Sequence, residues 1–224
     1  ATFKKPSWDW PLERHYHHWF SNDTSALSLI NELGLSKFLL FPKTITAIYY
    51  GKKVFPFNSP FDVLNFSPLS FPDRIRTGLV TAYLKLLPSA QAIHLESQNA
   101  HRWVLKKYGE KAYSIIWEPL LSGKFGPYAQ KVNMAWFWAR IYKRTPRLGY
   151  LVGGYERLVL SLAQAITKKG GVIHLNTSFH QKQIHQFDKT IITTPSVGFV
   201  KLFPQLPMEY KNRLTSIPHL HAYN

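Results

Sequence analysis

Glu13, His15, His17 and His18 put a carboxylate and several imidazoles within a few residues of each other near the start of the chain. If this piece is a strand, Glu13, His15 and His17 share one face, with His18 beside them. Neutral imidazoles and a carboxylate suit zinc or iron. The spacing matches no defined metal motif, however, and a polar stretch lining a cleft beside Trp8, Trp10 and Trp19 explains it without a metal. No metal site is therefore expected. The second constellation is Gly153–Gly154, which stands between the apolar run Tyr150–Val152 and a helical pattern of Tyr155, Leu158, Val159, Leu162, Ala165 and Ile166. A glycine pair that opens a helix lets a ligand approach the backbone closely, although many α/β crossovers look the same.

Other chemistries are poorly supported. There is no G-x-S-x-G elbow for serine–histidine–acid hydrolysis. No two glycines stand at i and i+2, so neither a G-x-G-x-x-G turn nor a Walker loop is present. Trp136, Trp138, Tyr108, Tyr113 and Tyr128 read more readily as core than as a cofactor stack.

The elements that must position these residues follow from the pattern. Asn22 or Asp23 can cap a helix with Ala26, Leu27, Ile30 and Leu33 on its apolar face, closed by Gly34. Ile45–Tyr50 and Lys53–Phe57 flank Gly51–Lys52 as a hairpin with glycine first in the turn. Asn58–Pro72 reads as a loop. Ser70 and Pro72 start a helix carrying Ile75, Leu79, Ala82, Tyr83 and Leu86 on one face. Two helices joined near Gly109 run from Ser97 to Leu121, with Pro119 in the last turn or at a kink. A loop at Ser122–Pro127 precedes an aromatic helix, Ala135–Tyr142. The helix after Gly154 ends at Lys168, Lys169 and Gly170. Val172–Asn176 and Phe187–Pro195 read as strands, and residues 196–216 as helix broken at Pro204 and Pro207. The fold class is thus α/β, or mixed α+β, with a mainly helical insertion carrying a hairpin.

With 224 residues, an apolar share of 45% and an aromatic share of 15%, the chain can bury a sizeable core. It lacks cysteine, which rules out a disulfide scaffold and thiolate catalysis and fits a reducing compartment. No stretch approaches the roughly 18 apolar residues of a bilayer span. A cytoplasmic location is expected, with peripheral attachment to a membrane as a variant of it. The net charge of +16 calls for an anionic partner or surface. The cations are spread out, densest at Arg140–Arg147. A solvated basic face and a phosphate-bearing or membrane-surface partner both fit. No zinc-finger, RNP-type or heptad pattern supports nucleic acid.

Taken together, the segments WPLERHYHHWFSND (10–23), GKKVFPFNSPFDVLNFSPLSFPDR (51–74), KYGEKAYSIIWEPLLSGKFG (107–126), MAWFWARI (134–141), GYLVGGYERL (149–158), KKGGVIHLNTSF (168–179) and FDKTIITTP (187–195) resemble the flavin-dependent amine oxidase superfamily. The resemblance lies in the branch near protoporphyrinogen oxidase, phytoene desaturase and UDP-galactopyranose mutase. It implies FAD as the cofactor, held in a Rossmann-like domain, and an oxidoreductase acting on an organic substrate; an aromatic-lined helical insertion suits a large apolar one, and the basic surface a phosphate-bearing one.

The implied organisation is an FAD-domain segment contacting the flavin ring over 1–34 and a mainly helical substrate domain over 35–147. A further FAD-domain segment (β-α-β) covers 148–224. The pyrophosphate-binding G-x-G-x-x-G unit and a C-terminal flavin segment are expected to lie outside this sequence, leaving it inactive by itself and its FAD binding weak or absent. Carried over, Glu13, Tyr16, His17 and His18 reach the isoalloxazine ring, and His18-Trp19-Phe20 resembles the mutases' H-I-F. Gly153 and Gly154 lie on the flavin side of the cleft. Phe179 stands where a valine usually meets the adenine, and Thr193, Thr194 and Pro195 end the strand beside the dinucleotide. Lys124, Phe125, Gly126 and Trp136 belong to the substrate side. Between Phe179 and Phe187 the usual β-hairpin is shortened to His180–Gln186. The alternatives are a sugar-nucleotide mutase-like enzyme and a non-catalytic module docking on anionic lipid or nucleic acid.

Overall fold

The structure, a computed structural model, describes residues 2–15 and 17–220. The fold is mixed α/β with a mainly helical insertion, and the chain divides into two compact units, residues 1–159 and 160–224.

The first unit has a small base and a larger helical layer. The base is an antiparallel sheet ordered β3 (Trp19–Phe20), β7 (Leu148–Leu151), β4 (Leu39–Leu40), with Trp19 opposite Gly149 and Leu39 opposite Leu151. A two-stranded ladder of β1 (Thr2–Phe3) and β2 (Leu12–Glu13) precedes it. His15, His17 and His18 fall outside any strand, so they do not share a pleated face with Glu13. Helix α1 (Thr24–Glu32) packs on the sheet through Ile30, which is fully buried with Trp19, Leu35 and Leu151. Asp23 does precede α1, but its carboxylate accepts from the Phe20 amide at 2.7 Å and makes no side-chain cap.

The helical layer is inserted between β4 and β7. Its hairpin, β5 (Ala47–Tyr50) and β6 (Lys53–Pro56), turns at Gly51 and Lys52, both with positive φ (56° and 62°). That is the requirement of a type I′ turn, so Lys52 shares the strain with the glycine. The predicted loop over 58–72 contains a helix, α2 (Pro60–Leu64). Ser59 and Asp62 cap each other's backbone there, a signal the proline-rich composition obscures.

Helix α3 (Phe71–Leu86) starts at Ser70 as predicted; α4 (Ser89–Ala92) follows, then α5 (Ala100–Tyr108), α6 (Glu110–Ala112), a π-helical stretch over Tyr113–Trp117, and α7 (Glu118–Phe125). Pro119 has no N–H and its ring would crowd the carbonyl four residues earlier, and the widened π turn lies there. The predicted loop from Ser122 begins later, because the helix runs on to Phe125 and stops at Gly126 (φ 51°). A 3₁₀ turn, Gly126–Lys131, leads to α8 (Met134–Lys143), capped by Asn133. Tyr108, Trp117 and Phe137 meet edge to face at about 5–6 Å and centre the larger core.

Helix α9 (Gly154–Lys168) leads into the second unit. There α10 (Ser196–Leu202) and α11 (Met208–Thr215) pack together, with Phe203 buried. The predicted strands 172–176 and 187–195 do not form. A strand needs a neighbour for its amides and carbonyls, and among its described residues this unit offers helices and a 3₁₀ turn, Gln181–Gln186, instead. Val172, Leu175, Phe187 and Ile191 are left exposed.

Candidate functional site

The site is built where β7 turns into α9. Gly153 and Gly154 both have positive φ, 95° and 73°. A Cβ on Gly154 would lie 2.8 Å from the Pro11 carbonyl and 3.0 Å from Glu13 Oε1, so only glycine admits the Pro11–Glu13 segment. Glu13 then sits on the helix start. The Tyr155 amide donates to Oε1 at 2.5 Å and the Tyr150 hydroxyl to Oε2 at 3.0 Å. A carboxylate there satisfies an otherwise orphaned amide and complements the helix dipole. Burial, and then the Glu13 carboxylate, push the Tyr150 phenol up to about 12. Thr2 ties the same turn down through Glu156 at 2.9 Å.

An aromatic wall continues from this turn. Tyr155 stacks on Trp19 with centroids 4.1 Å apart and planes 13° apart, and the His17 ring leans on Tyr155 at 5.1 Å. His18 turns edge-on to Phe20 at 5.2 Å. It is half-buried, and burial first, then Arg144 and Arg140, hold its pKa below the ordinary value against the pull of Asp23. The two arginines sit at i and i+4 at the end of α8. Arg144 donates to Thr46 Oγ1 at 2.6 Å. Arg140, part-buried, finds no hydrogen-bond acceptor among the described residues, and burial and Arg144 lower its pKa. Like charges at this spacing repel, so the pair is suited to an anion.

The structure thus brings together Glu13, His17, Gly153 and Gly154, with His18 on the same short segment. Tyr16 lies outside the described residues. Phe125 and Trp136 meet edge to face at 4.7 Å at the margin of the large core, with Lys124 and Gly126 exposed beside them. Phe179, Thr193, Thr194 and Pro195 belong to the second unit, where Pro195 is the N-cap of α10. No group of three or more histidine and acidic side chains gathers for a metal ion among the described residues. Tyr150, Tyr155, Arg140 and Arg144 join the site although the sequence marks the tyrosines only as apolar positions and the arginines only as part of the densest basic group. Tyr155 reads as one more apolar helix residue, while Arg140 and Arg144 carried a legible signal in their i, i+4 spacing.

A family model described as flavin containing amine oxidoreductase matches residues 1–196. The chain belongs to that family. Among solved structures, a candidate protoporphyrinogen oxidase from Exiguobacterium sp. 255-15 has the same fold, with a TM-score of 0.57 and 17% identity over 95% of this chain. That alignment takes in 54% of the other protein, so this chain spans about half of its length. No curated protein is a match.

Proposed function

We propose that this chain is the substrate-domain and ring-facing portion of an FAD-dependent oxidoreductase. The observation that carries the reading is the β3–β7–β4 sheet. It closes the base of the helical insertion and sets the Glu13–His18 segment against the Gly153–Gly154 turn. The domain division is then 1–34 and 148–224 for the flavin side and 35–147 for the substrate side.

The fit to a flavin differs between its two ends. The rings of His17 and Tyr155, the latter backed by the buried Trp19, and the half-buried His18 suit an isoalloxazine ring. The pyrophosphate has no cradle here, since the glycine pair admits Pro11–Glu13 and the α9 amide is already engaged by Glu13. When bound, the flavin would accept a hydride from a C–H of a CH–NH or CH–CH unit, the second hydrogen leaving as a proton, or would support a non-redox rearrangement of the mutase kind. The chain's own residues would do the rest. The aromatic wall excludes water and orients the ring. His18, whose pKa burial and the two arginines lower, would offer a ring nitrogen through which a proton can pass. Arg140 and Arg144 would bind the anionic end of the substrate, which favours a large apolar molecule bearing a phosphate or carboxylate.

A ring-only photolabel tests this assignment. 8-Azidoriboflavin is expected to attach within residues 10–23 or 149–158, mapped by peptide mass. Attachment confined to other peptides would overturn it.

A further inference from the structure

Helix α3 carries its apolar stripe on the outside. Phe71, Ile75, Leu79, Tyr83 and Leu86 recur about every four residues and are all exposed, Leu79 at 67% and Leu86 at 80%. The opposite side supplies Thr77 and Leu84, buried at 1% and 0%, to the core. The core therefore does not need the stripe. Sixteen residues of helix present it over about 24 Å.

Its border is basic and fixed in place. Arg76 donates to the carbonyls of Lys107 and Lys106, both at 2.7 Å, and so locks the end of α5 alongside α3. The exposed side chains of Lys106 and Lys107 then flank a shallow groove of about 720 Å³ that Phe71, Ile75 and Leu79 line. Asp73, the acidic residue of α3, accepts from the Ser70 hydroxyl at 2.6 Å. A flat apolar stripe edged by cations matches the interior-facing and headgroup-facing sides of a helix lying in a bilayer interface. A second copy of this chain is a poor occupant, because pairing would set Arg76, Lys106 and Lys107 against their like on a protein of net charge +16.

We propose that the outer face of α3, with Lys106 and Lys107 beside it, docks on the surface of an anionic lipid bilayer. This goes beyond the redox reading and does not depend on it, since the test uses no flavin. The intact 224-residue chain is sedimented with vesicles rich in phosphatidylglycerol and with vesicles of phosphatidylcholine. Binding to the first is expected, weakening as salt rises and falling at least about tenfold in Leu79→Glu/Leu86→Glu. Lys106→Glu/Lys107→Glu should lower it as well.

The chain has no cysteine, so Leu79→Cys can carry an environment-sensitive dye as its single label even where the glutamate variant folds poorly. A blue shift on anionic vesicles is expected there and none at a Ser114→Cys control. Equal binding to phosphatidylcholine, binding unmoved by the α3 substitutions, or a self-association that the same substitutions abolish would each overturn the proposal.

Discussion

Glu13 holds two donors from elements far along the chain, and its loss should be felt at both. Glu13→Gln keeps the shape but removes the charge from the start of α9, and is expected to cost about 1–2 kcal/mol in denaturant unfolding. The Tyr150 phenol, raised to about 12 by burial and by this carboxylate, should move back toward 10 in a spectrophotometric titration. An unchanged Tyr150 would mean that burial does all the raising. His18 gives a prediction in pH. Its pKa in the folded chain is below 6.5, so the unfolded chain binds the proton first as pH falls. Stability is then fully present above 6.5 and declines below it until the folded-state pKa is passed. His18→Gln should flatten that acid limb in thermal melts taken across the range. Of these residues, Glu13 and His18 stood out in the sequence by type. Their partners did not, because Tyr150, Tyr155 and Arg144 become neighbours through strand pairing more than a hundred positions away.

Helix α3 shows what periodicity carries and what it leaves open. Ser70 and Pro72 announce the helix, and the apolar spacing along it is plain, yet spacing does not say which face turns inward. The structure buries Leu84 and leaves Leu79 outside. Leu84→Ala should therefore cost about 2–5 kcal/mol, whereas Leu79→Ala should change stability by no more than about 0.5 kcal/mol. Urea denaturation of the two variants decides it, and equal losses would contradict the orientation described. The same reasoning explains the misread segments. Helix α2 was hidden among prolines although Ser59 and Asp62 are a capping pair. The runs 172–176 and 187–195 have strand composition, but pairing is a property of neighbours, and no partner strand is described in their unit. Elements whose signal is local, such as α1, α8, α9 and the hairpin, were legible.

The first unit joins a small base to a large helical layer, and the chain belongs to the flavin-containing amine oxidoreductases. None of its described helices is long and apolar enough to cross a membrane. On the proposed function a flavin ring would meet the Tyr155 and His17 rings, while the Gly153–Gly154 turn, filled by Pro11–Glu13, gives a pyrophosphate no hold. Affinity should then come from the isoalloxazine, with nothing added by the adenine dinucleotide tail. The direct measurement is a fluorescence titration of the 224-residue chain with riboflavin and with FAD. The two are expected to bind weakly and within about threefold of each other, with both lost in Tyr155→Ala. FAD binding about a hundredfold tighter than riboflavin, or flavin retained in stoichiometric amount through purification, would contradict it.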